Sequence, residues 1–557
     1  MALSIIIGLV AGIVTAVFTD LFVWSDRYRY YLLHRDPWIY VSLAYGLILL
    51  VAYTLRRFLG TIHGSSTSYV VKSYHWKLGY VGRKELIIYT LGALASVLAG
   101  AVVGPEGPGI ALGAFFGYWI SRKSGLHGEE LRKMTLVGAA AGIASVFRAP
   151  LTAMAFAIEV PYKRSLETGV FMPALIATFT SYIVTVAIAG PQRLLLRIKP
   201  FKPPMPSADI ISSSIGLGIT AAALVYLMYF IKHYFGEISE KYGKSKYWFV
   251  FPLILATLVV VSALYISEHI PGSGDVLTEE IFNKPEEFTL PVLLIILLGR
   301  SSLLPLSLTW GATGGLFMPL VSIGAVLGLF YALLLHVPPA HIYPLMLAGV
   351  SAVFSGGQKT LMTSIFIGVE FLGFGAFFSS TIAAATAYLL TLNVSLIAGQ
   401  LPEVQDPKKR TLMELIDKLM SKRDLKDKLK MKVVEVANKK VTRLLDEMTV
   451  KEALVIIEKD LHNNYPVVNR DDVLVGEVSL EVLVTESPDS KLRDLMIYPV
   501  FVYEDDEIQK LLSLMLSSNT DRVYVINKER KLVGVVSKTD LLKYALKNIV
   551  KSFIYRK

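Results

Sequence analysis

A glutamate lies in the middle of a glycine- and proline-rich run, Gly104-Pro105-Glu106-Gly107-Pro108, which an apolar stretch follows. A proline in the first turn of a helix costs no hydrogen bond, so the run favours a helix start. The N–H groups of that first turn have no acceptor within the helix and carry partial positive charge. Such an end binds anions, and the Glu106 carboxylate would compete with a bound anion for the same N–H groups.

A second interruption of the same kind runs from Gly314 to Pro319. The two belong to a self-match that aligns Gly104–Glu159 with Gly315–Glu370 without a gap, and glycine, proline and glutamate recur in it. Small residues also recur where membrane helices merely pack together. Paired interrupted segments in two halves of a chain nevertheless favour a transport site at mid-membrane depth. The predicted anion-binding amides belong to the first turns around Glu106 and Gly107 and around Leu316 and Phe317.

The composition indicates a membrane protein with a charged tail. Hydrophobic residues make up 53% of the chain and charged residues 18%, and the mean hydropathy of +0.52 excludes a wholly soluble protein. Apolar stretches recur through residue 400, and several are too short to span a bilayer, which is typical of broken or re-entrant helices. We predict an all-α polytopic membrane domain over residues 1–400, with an inverted internal repeat and broken helices.

Charged residues become frequent after residue 400, where a soluble tail is expected. A basic linker over residues 401–432 precedes two units, 433–484 and 492–546, which match each other at a constant spacing. Each unit combines β-branched strands with helical patterns, so the tail is predicted to be α/β. The net charge of +11 is not concentrated in one basic stripe, so nucleic acid is not an expected partner.

The two interrupted runs and the repeat resemble the CLC family of chloride channels and chloride/proton antiporters. The resemblance implies a homodimer with one pore per subunit and chloride as the substrate. It assigns the gating role to Glu106 and places the backbone amides of Leu316 and Phe317 against the central chloride. It also implies that the Ser65 hydroxyl coordinates chloride, although the Gly64-Ser65 loop lacks the second glycine and the proline of the family pattern.

Two departures from the family bear on mechanism. Ile397 occupies the position of the family's coordinating tyrosine, and Val160 occupies that of the antiporters' internal proton-transfer glutamate. A hydrocarbon side chain cannot relay protons, so Glu159 is either a substitute relay or a helix-packing acid. These departures favour channel-like or weakly proton-coupled chloride transport, gated by Glu106. A tightly coupled chloride/proton antiporter is the alternative.

The two tail units resemble the paired CBS domains that often follow CLC membrane domains. In the second unit Ser537, Thr539 and Asp540 match the family's ribose and phosphate signature, whereas the first unit has Val482 in place of the aspartate. The resemblance implies that ATP or another adenine nucleotide binds at the second unit and regulates transport. The alternative is that Asp540 only caps a helix.

Other function classes find little support. The chain has no cysteine and no His-Glu-x-x-His pattern, so we expect neither an enzyme nor a metal site, and no required cofactor. A CBS-containing cation or magnesium transporter is a distant alternative, because the apolar part offers few acids to coordinate a cation. We expect a multi-pass protein of the plasma membrane, in contact with lipid, with its tail in the cytosol.

Overall fold

The computed structural model divides into two compact units, Met1–Val404 and Gln405–Lys557, which are the membrane body and the tail. Each is described by itself. The structure describes residues 1–190, 208–243, 245–372, 376–404, 431–458, 460, 462–518 and 520–544. Most of the predicted linker, residues 405–430, therefore lies outside the described residues.

The described part of the membrane body is built almost entirely of helices. Seven of its helices are long and apolar enough to cross a membrane. Five others, including the 10-residue Pro150–Glu159, have 10 to 14 residues, so the predicted broken helices are confirmed. The helices are α1 (Ala2–Arg35), α2 (Pro37–Leu59), α3 (Ser66–Trp76), α4 (Arg83–Leu98), α5 (Glu106–Lys123), α6 (Gly128–Phe147), α7 (Pro150–Glu159), α8 (Phe171–Ala189), α9 (Ala208–Gly243), α10 (Val250–Val261), α11 (Asp275–Asn283), α12 (Leu290–Thr309), α13 (Phe317–Leu334), α14 (Pro339–Gln358), α15 (Leu361–Leu372) and α16 (Phe377–Leu390).

The two halves of the repeat break at matching positions. Helix α6 ends at Arg148, which adopts a left-handed conformation with φ of 49°, and Pro150 starts α7. Helix α14 ends in the same way at Lys359, with φ of 60°, before α15. A left-handed residue closes a helix because it turns the chain away from the helix axis. The long apolar stretch around residue 148 is therefore two helices, as is its repeat mate.

Close helix crossings surround these breaks. A Cβ atom added to Gly113 of α5 would lie 2.0 Å from the carbonyl oxygen of Gly138 in α6. In the second half, a Cβ atom on Gly349 of α14 would lie 2.3 Å from the carbonyl oxygen of Gly324 in α13. Only glycine permits backbones to approach this closely, so the recurring small residues do contribute to packing.

Each repeat also supplies an acid that caps a helix of the other. Glu159, the last residue of α7, accepts hydrogen bonds from the N–H groups of Met362 and Thr363 at 2.8 and 2.9 Å. Glu370 of α15 accepts from the N–H groups of Leu151 and Thr152 at 2.9 and 2.8 Å. A carboxylate at a helix N-terminus satisfies free N–H groups and interacts favourably with the helix dipole. The two repeats are thus joined by reciprocal caps.

Extended segments meet at the centre of the body. Strand β1 (Gly64–Ser65) pairs in parallel with β2 (Thr313–Gly314). Gly104 and Gly315, which are equivalent positions of the two repeats, form a reciprocal antiparallel bridge with N···O distances of 3.1 and 2.9 Å. A pair of equivalent residues bonded to each other lies on the symmetry axis of an inverted repeat, as predicted.

The tail contains two three-stranded sheets of the same topology. The order is β3-β4-β5 in the first and β6-β7-β8 in the second, with one parallel and one antiparallel pairing in each. The α/β prediction is confirmed, although the sequence pattern revealed only two strands per unit. The elements are β3 (Leu444–Leu445), α17 (Val450–Ile457), β4 (Asn464–Val468), β5 (Leu474–Ser479), α18 (Leu480–Thr485), α19 (Leu492–Leu495), β6 (Phe501–Tyr503), α20 (Ile508–Ser517), β7 (Arg522–Ile526) and β8 (Leu532–Ser537).

The close crossing of α5 and α6 predicts that Gly113→Ala lowers the free energy of unfolding by about 1–3 kcal/mol, because the added methyl group must push two backbones apart. The matched control is Gly46→Ala in α2, where a Cβ atom would meet nothing within 4 Å. Thermal unfolding in detergent, followed by size-exclusion chromatography, measures both variants. Equal midpoints for Gly113→Ala and the wild type would contradict the packing argument.

Candidate anion pathway and nucleotide cavity

The predicted anion site lies where two helices begin. Helix α5 starts at Glu106 and α13 at Phe317, and each has a proline as its third residue. The bridge between Gly104 and Gly315 holds the two starting segments side by side. The free N–H groups of two helix N-termini therefore meet in the buried centre of the body.

The Glu106 side chain joins the two helix ends. The residue is 1% exposed, and its Oε1 atom accepts a hydrogen bond from the N–H group of Phe317. A Cβ atom on Gly315 would lie 2.5 Å from the amide nitrogen of Gly107, so α5 and α13 begin almost in contact. The structure thus brings Glu106, Gly107, Leu316 and Phe317 together, and a carboxylate occupies the place where a bound anion would accept the same N–H group.

Ser65 lies beside this centre and caps α3. Its hydroxyl accepts from the Ser68 N–H group at 3.3 Å and donates to the Ser68 hydroxyl at 2.9 Å. Ser65 also pairs with Gly314 in the short sheet. The neighbouring Ser66 is closer to the helix ends, since a Cβ atom on Gly107 would lie 2.4 Å from its hydroxyl oxygen. Ser66 and Ser68 were not singled out from the sequence, where the only signal was a run of hydroxyl residues.

The surroundings of Phe317 are apolar. Its ring stacks on Phe147 with centroids 3.9 Å apart and meets the edge of Phe354 at 4.2 Å. All three side chains are at most 1% exposed. Backbone dipoles act strongly in such a water-poor environment, because little solvent screens them.

The two positions that depart from the family pattern are both buried. Val160 is 3% exposed and Ile397 is 2% exposed. The side-chain amide of Gln400 donates to the carbonyl oxygen of Val160 at 2.9 Å, which ties the segment after α16 to the end of α7. Neither Val160 nor Ile397 has a side chain that can donate or accept a proton.

Glu159, the predicted substitute relay, is bound as a helix cap. Besides two N–H groups of α15, its Oε2 atom accepts from the Thr363 hydroxyl at 2.7 Å. Its repeat mate Glu370 accepts from the Thr152 hydroxyl in the same way at 2.5 Å. This shared geometry fits the helix-packing alternative, because both acids satisfy donors that would otherwise remain unpaired.

A cavity of about 200 Å³ in the tail contains the predicted nucleotide-binding residues Ser537, Thr539 and Asp540. The Ser537 N–H group and hydroxyl both donate to Oδ2 of Asp540, at 3.0 and 2.5 Å. Asp540 thus lies within the first turn of a helix that begins at residue 538, and Ser537 caps that helix. The expected cap is therefore Ser537 rather than Asp540, and the Asp540 side chain bonds back to Ser537 while lining the cavity. Arg522 and His462 line the same cavity, 3.2 Å apart.

Within the described ranges, the structure has no group of three or more histidine, cysteine, aspartate or glutamate residues able to hold a metal ion. Three acids of the membrane body accept hydrogen bonds at helix starts, each at a different helix. Glu106 accepts from a helix start, and Glu159 and Glu370 each cap a different helix.

Comparison with protein-family models matches residues 47–392 to the voltage-gated chloride channel family. Residues 433–488 and 492–547 each match the CBS domain.

Known proteins resemble the chain over most of their length. The H(+)/Cl(-) exchange transporter ClcA of Vibrio cholerae serotype O1 is 24% identical over 386 residues, which cover 66% of this chain and 81% of the relative. A chloride/fluoride channel protein of Pseudomonas syringae pv. tomato is 25% identical over 406 residues, covering 72% and 86%. The crystal structure of a eukaryotic CLC transporter has the same fold, with a TM-score of 0.59, 17% identity and 97% of both chains covered. The chain therefore belongs to the voltage-gated chloride channel family of anion-transporting membrane proteins and carries a pair of CBS domains after its membrane body.

Proposed function

We propose that this chain transports chloride along a pathway gated by Glu106, either as a channel or with weak proton coupling. The observation that carries the proposal is the hydrogen bond from the Phe317 N–H group of α13 to the carboxylate of Glu106 in α5. A negative group already occupies the meeting point of the two helix ends. When Glu106 is protonated its charge is lost, and a chloride ion can replace it there.

The physical reason for this arrangement is the cost of dehydrating an anion. Moving an unpaired charge into a low-dielectric interior costs on the order of tens of kcal/mol by Born estimates. Partial charges from converging N–H groups offset that cost without a fixed cation next to the ion. Conduction requires binding that is favourable enough for entry and weak enough for release, which partial charges permit.

The surroundings of Val160 and Glu159 favour weak coupling of proton movement to chloride transport. A tight antiporter needs a proton acceptor near Val160, and the adjacent carboxylate of Glu159 already accepts hydrogen bonds from α15. To relay protons, Glu159 would have to release those donors, each of which would then lack an acceptor. The tightly coupled antiporter stays the alternative, supported by the exchange activity in the name of the Vibrio relative.

We also propose the assembly and location of the chain. The family resemblance supports a homodimer embedded in lipid, acting as a transporter rather than an enzyme. Lys408, Lys409 and Arg410 follow the last apolar helix, and basic residues next to a span favour the cytosolic side. We therefore assign the tail to the cytosol and the body to the plasma membrane. Light scattering of the purified protein and protease access to the tail in sealed cells test these assignments.

Nucleotide regulation is the further part of the proposal. The cavity near Asp540 combines a carboxylate, the hydroxyl groups of Ser537 and Thr539, and the cation of Arg522. Hydroxyl and carboxylate groups suit a ribose, and an arginine suits phosphate. An adenine nucleotide such as ATP fits this donor set. The transport site itself requires no cofactor.

The gating role predicts that chloride flux of the wild type rises as pH falls, and that Glu106→Gln conducts chloride with no pH dependence. The glutamine amide carries no charge at any pH, so a change in pH no longer alters the charge of the side chain at the helix ends. Chloride efflux from liposomes between pH 5 and 8 measures both. The matched control is Glu286→Gln, an exposed acid outside the site, which should keep the pH dependence of the wild type. Unchanged pH sensitivity in Glu106→Gln would contradict the gating role.

The capping role of Glu159 predicts that Glu159→Gln and Glu370→Gln lower the free energy of unfolding alike, by about 1–3 kcal/mol each, because each removes charge-assisted hydrogen bonds to a helix start. The proton-to-chloride ratio should stay that of the wild type in both. Thermal unfolding and proton uptake driven by a chloride gradient in liposomes are the measurements. If Glu159→Gln alone abolished proton uptake at wild-type stability, the relay reading would be correct.

Nucleotide binding predicts that Thr539→Val weakens ATP affinity by about tenfold, because it removes a hydroxyl from the cavity wall without touching the Ser537 cap. Asp540→Ala should weaken it at least as much but also destabilise the helix start. Isothermal titration calorimetry of the full chain measures both. Asp505→Ala, an exposed aspartate paired with Lys432, is the control and should bind like the wild type. Equal ATP affinities in the wild type and in all three variants would exclude this cavity as the nucleotide-binding site.

A further inference from the structure

A second cavity, which we call the Ile397 cavity, lies in the membrane body near the residue that replaces the family tyrosine. Its volume is about 310 Å³, much larger than a single halide ion. Besides Ile397, its wall includes Tyr229 and Lys232 of α9 and Lys163, from the loop after α7. Ser395 to Gln400, just before the end of the body at Val404, form one side of it.

Several donors of the segment around Ile397 are already bonded within the protein. The Ile397 N–H group donates to the Ser395 hydroxyl at 3.1 Å, and the Ala398 N–H group donates to the Ser68 hydroxyl at 3.0 Å. The Gln400 amide donates to two backbone carbonyls at 2.9 Å each. These donors are therefore not available to an anion beside Ile397, and side chains on the rest of the cavity wall become the main candidates.

Lys232 is the strongest donor left there. Its ammonium group donates to the carbonyl oxygen of Leu396, the residue directly before Ile397, and two of its three hydrogens remain available. Lys163 likewise donates to the carbonyl oxygen of Asn393 at 2.7 Å. Both lysines are half-buried, and in the part of the chain that the structure describes their ammonium groups bond to backbone carbonyls and form no ion pair with a carboxylate. A partly buried cation without a counter-charge is costly, and a bound anion relieves that cost.

The other charged groups at this cavity lie toward its rim. Glu237 and Glu240 are exposed, and Glu237 lies 3.3 Å from His233, which is exposed as well. His63 shares a hydrogen bond with the Ser239 hydroxyl at 3.0 Å. The acids are thus available to solvent, where water screens their repulsion of an anion.

Tyr229 adds a hydroxyl one helical turn before Lys232. Residues three apart share a helix face, and both line the cavity. The Tyr229 ring stacks on His233 with centroids 5.9 Å apart, which orients it. Among the described residues its hydroxyl has no hydrogen-bond partner, so it is free to donate. Helix α9 thus brings a tyrosine hydroxyl and an ammonium group to the position where the family's own tyrosine is missing.

We propose that Lys232, assisted by the Tyr229 hydroxyl, binds the transported anion in the Ile397 cavity before or after its passage by Glu106. The ligand class is a monovalent anion that keeps part of its hydration shell, since the cavity has room for water. The proposal rests on the proposed function. It adds a side-chain cation to a pathway whose centre uses only backbone dipoles. Because exposed residues such as Glu237 and Glu240 line this cavity, solvent reaches it, and a full charge can hold the ion without trapping it.

The test is chloride binding to the purified full chain, measured by calorimetry, together with chloride efflux from liposomes. Lys232→Gln should weaken chloride binding by about tenfold, the effect of losing one charge-assisted hydrogen bond. Lys232→Arg should restore most of the affinity, because the charge and donors return. Tyr229→Phe should give a smaller loss. The matched control is Lys241→Gln on the same helix, where the lysine lies over the Tyr242 ring, and it should bind like the wild type.

Chloride affinity unchanged in a monodisperse Lys232→Gln protein would overturn the inference. If that variant failed to fold because the bond to Leu396 is lost, Tyr229→Phe would decide: wild-type chloride affinity in Tyr229→Phe would overturn the inference. If the proposed function itself were wrong, the wild type would show no chloride efflux, and this result is distinguishable from unchanged binding in the variants. Efflux intact with binding unchanged by every variant rejects only the Ile397 cavity.

Discussion

Helices α5 and α13 begin in the buried centre of the membrane body, and their N-termini must be held together. The other contacts of the membrane body maintain this arrangement. The reciprocal hydrogen bonds between Gly104 and Gly315 align the two starting segments. The helices behind them then cross their neighbours at glycines, which keeps the bundle compact where backbone ends must be buried. Buried N–H groups need acceptors. Here the acceptor is the carboxylate of Glu106.

Much of this arrangement follows from the order of residues. Glycine and proline near residues 104 and 315 indicate helix starts through their effect on backbone conformation, and the repeat predicts that the two starts meet. Glu106 was singled out because a carboxylate in an apolar stretch is conspicuous. Asp540 was singled out through the resemblance to the CBS signature; the helix cap expected at that residue is instead Ser537, whose hydroxyl accepts from the Asp540 N–H group.

Other features depend on contacts that no local pattern encodes. Glu159 and Thr363, whose N–H group donates to the Glu159 carboxylate, are 204 residues apart, so the reciprocal caps become visible only in three dimensions. Ser66 is one residue from the predicted Ser65 and looks equivalent in sequence, yet the pairing of β1 with β2 brings it to Gly107. Lys232 lies within a long apolar helix, where a lysine would be expected to extend to the membrane surface. The short strands β3 and β6 were missed because two or three residues have no measurable periodicity.

Glu159 and Glu370 each cap a helix of the other repeat, so neither repeat is complete by itself. Each repeat leaves one of its own helix starts uncapped and completes that of the other. A polypeptide that consisted of one repeat would therefore lack the carboxylate that caps one of its helix starts. Two copies could supply this carboxylate to each other across an interface. Two identical copies of such a repeat would make the same pair of contacts between molecules that this chain makes within one.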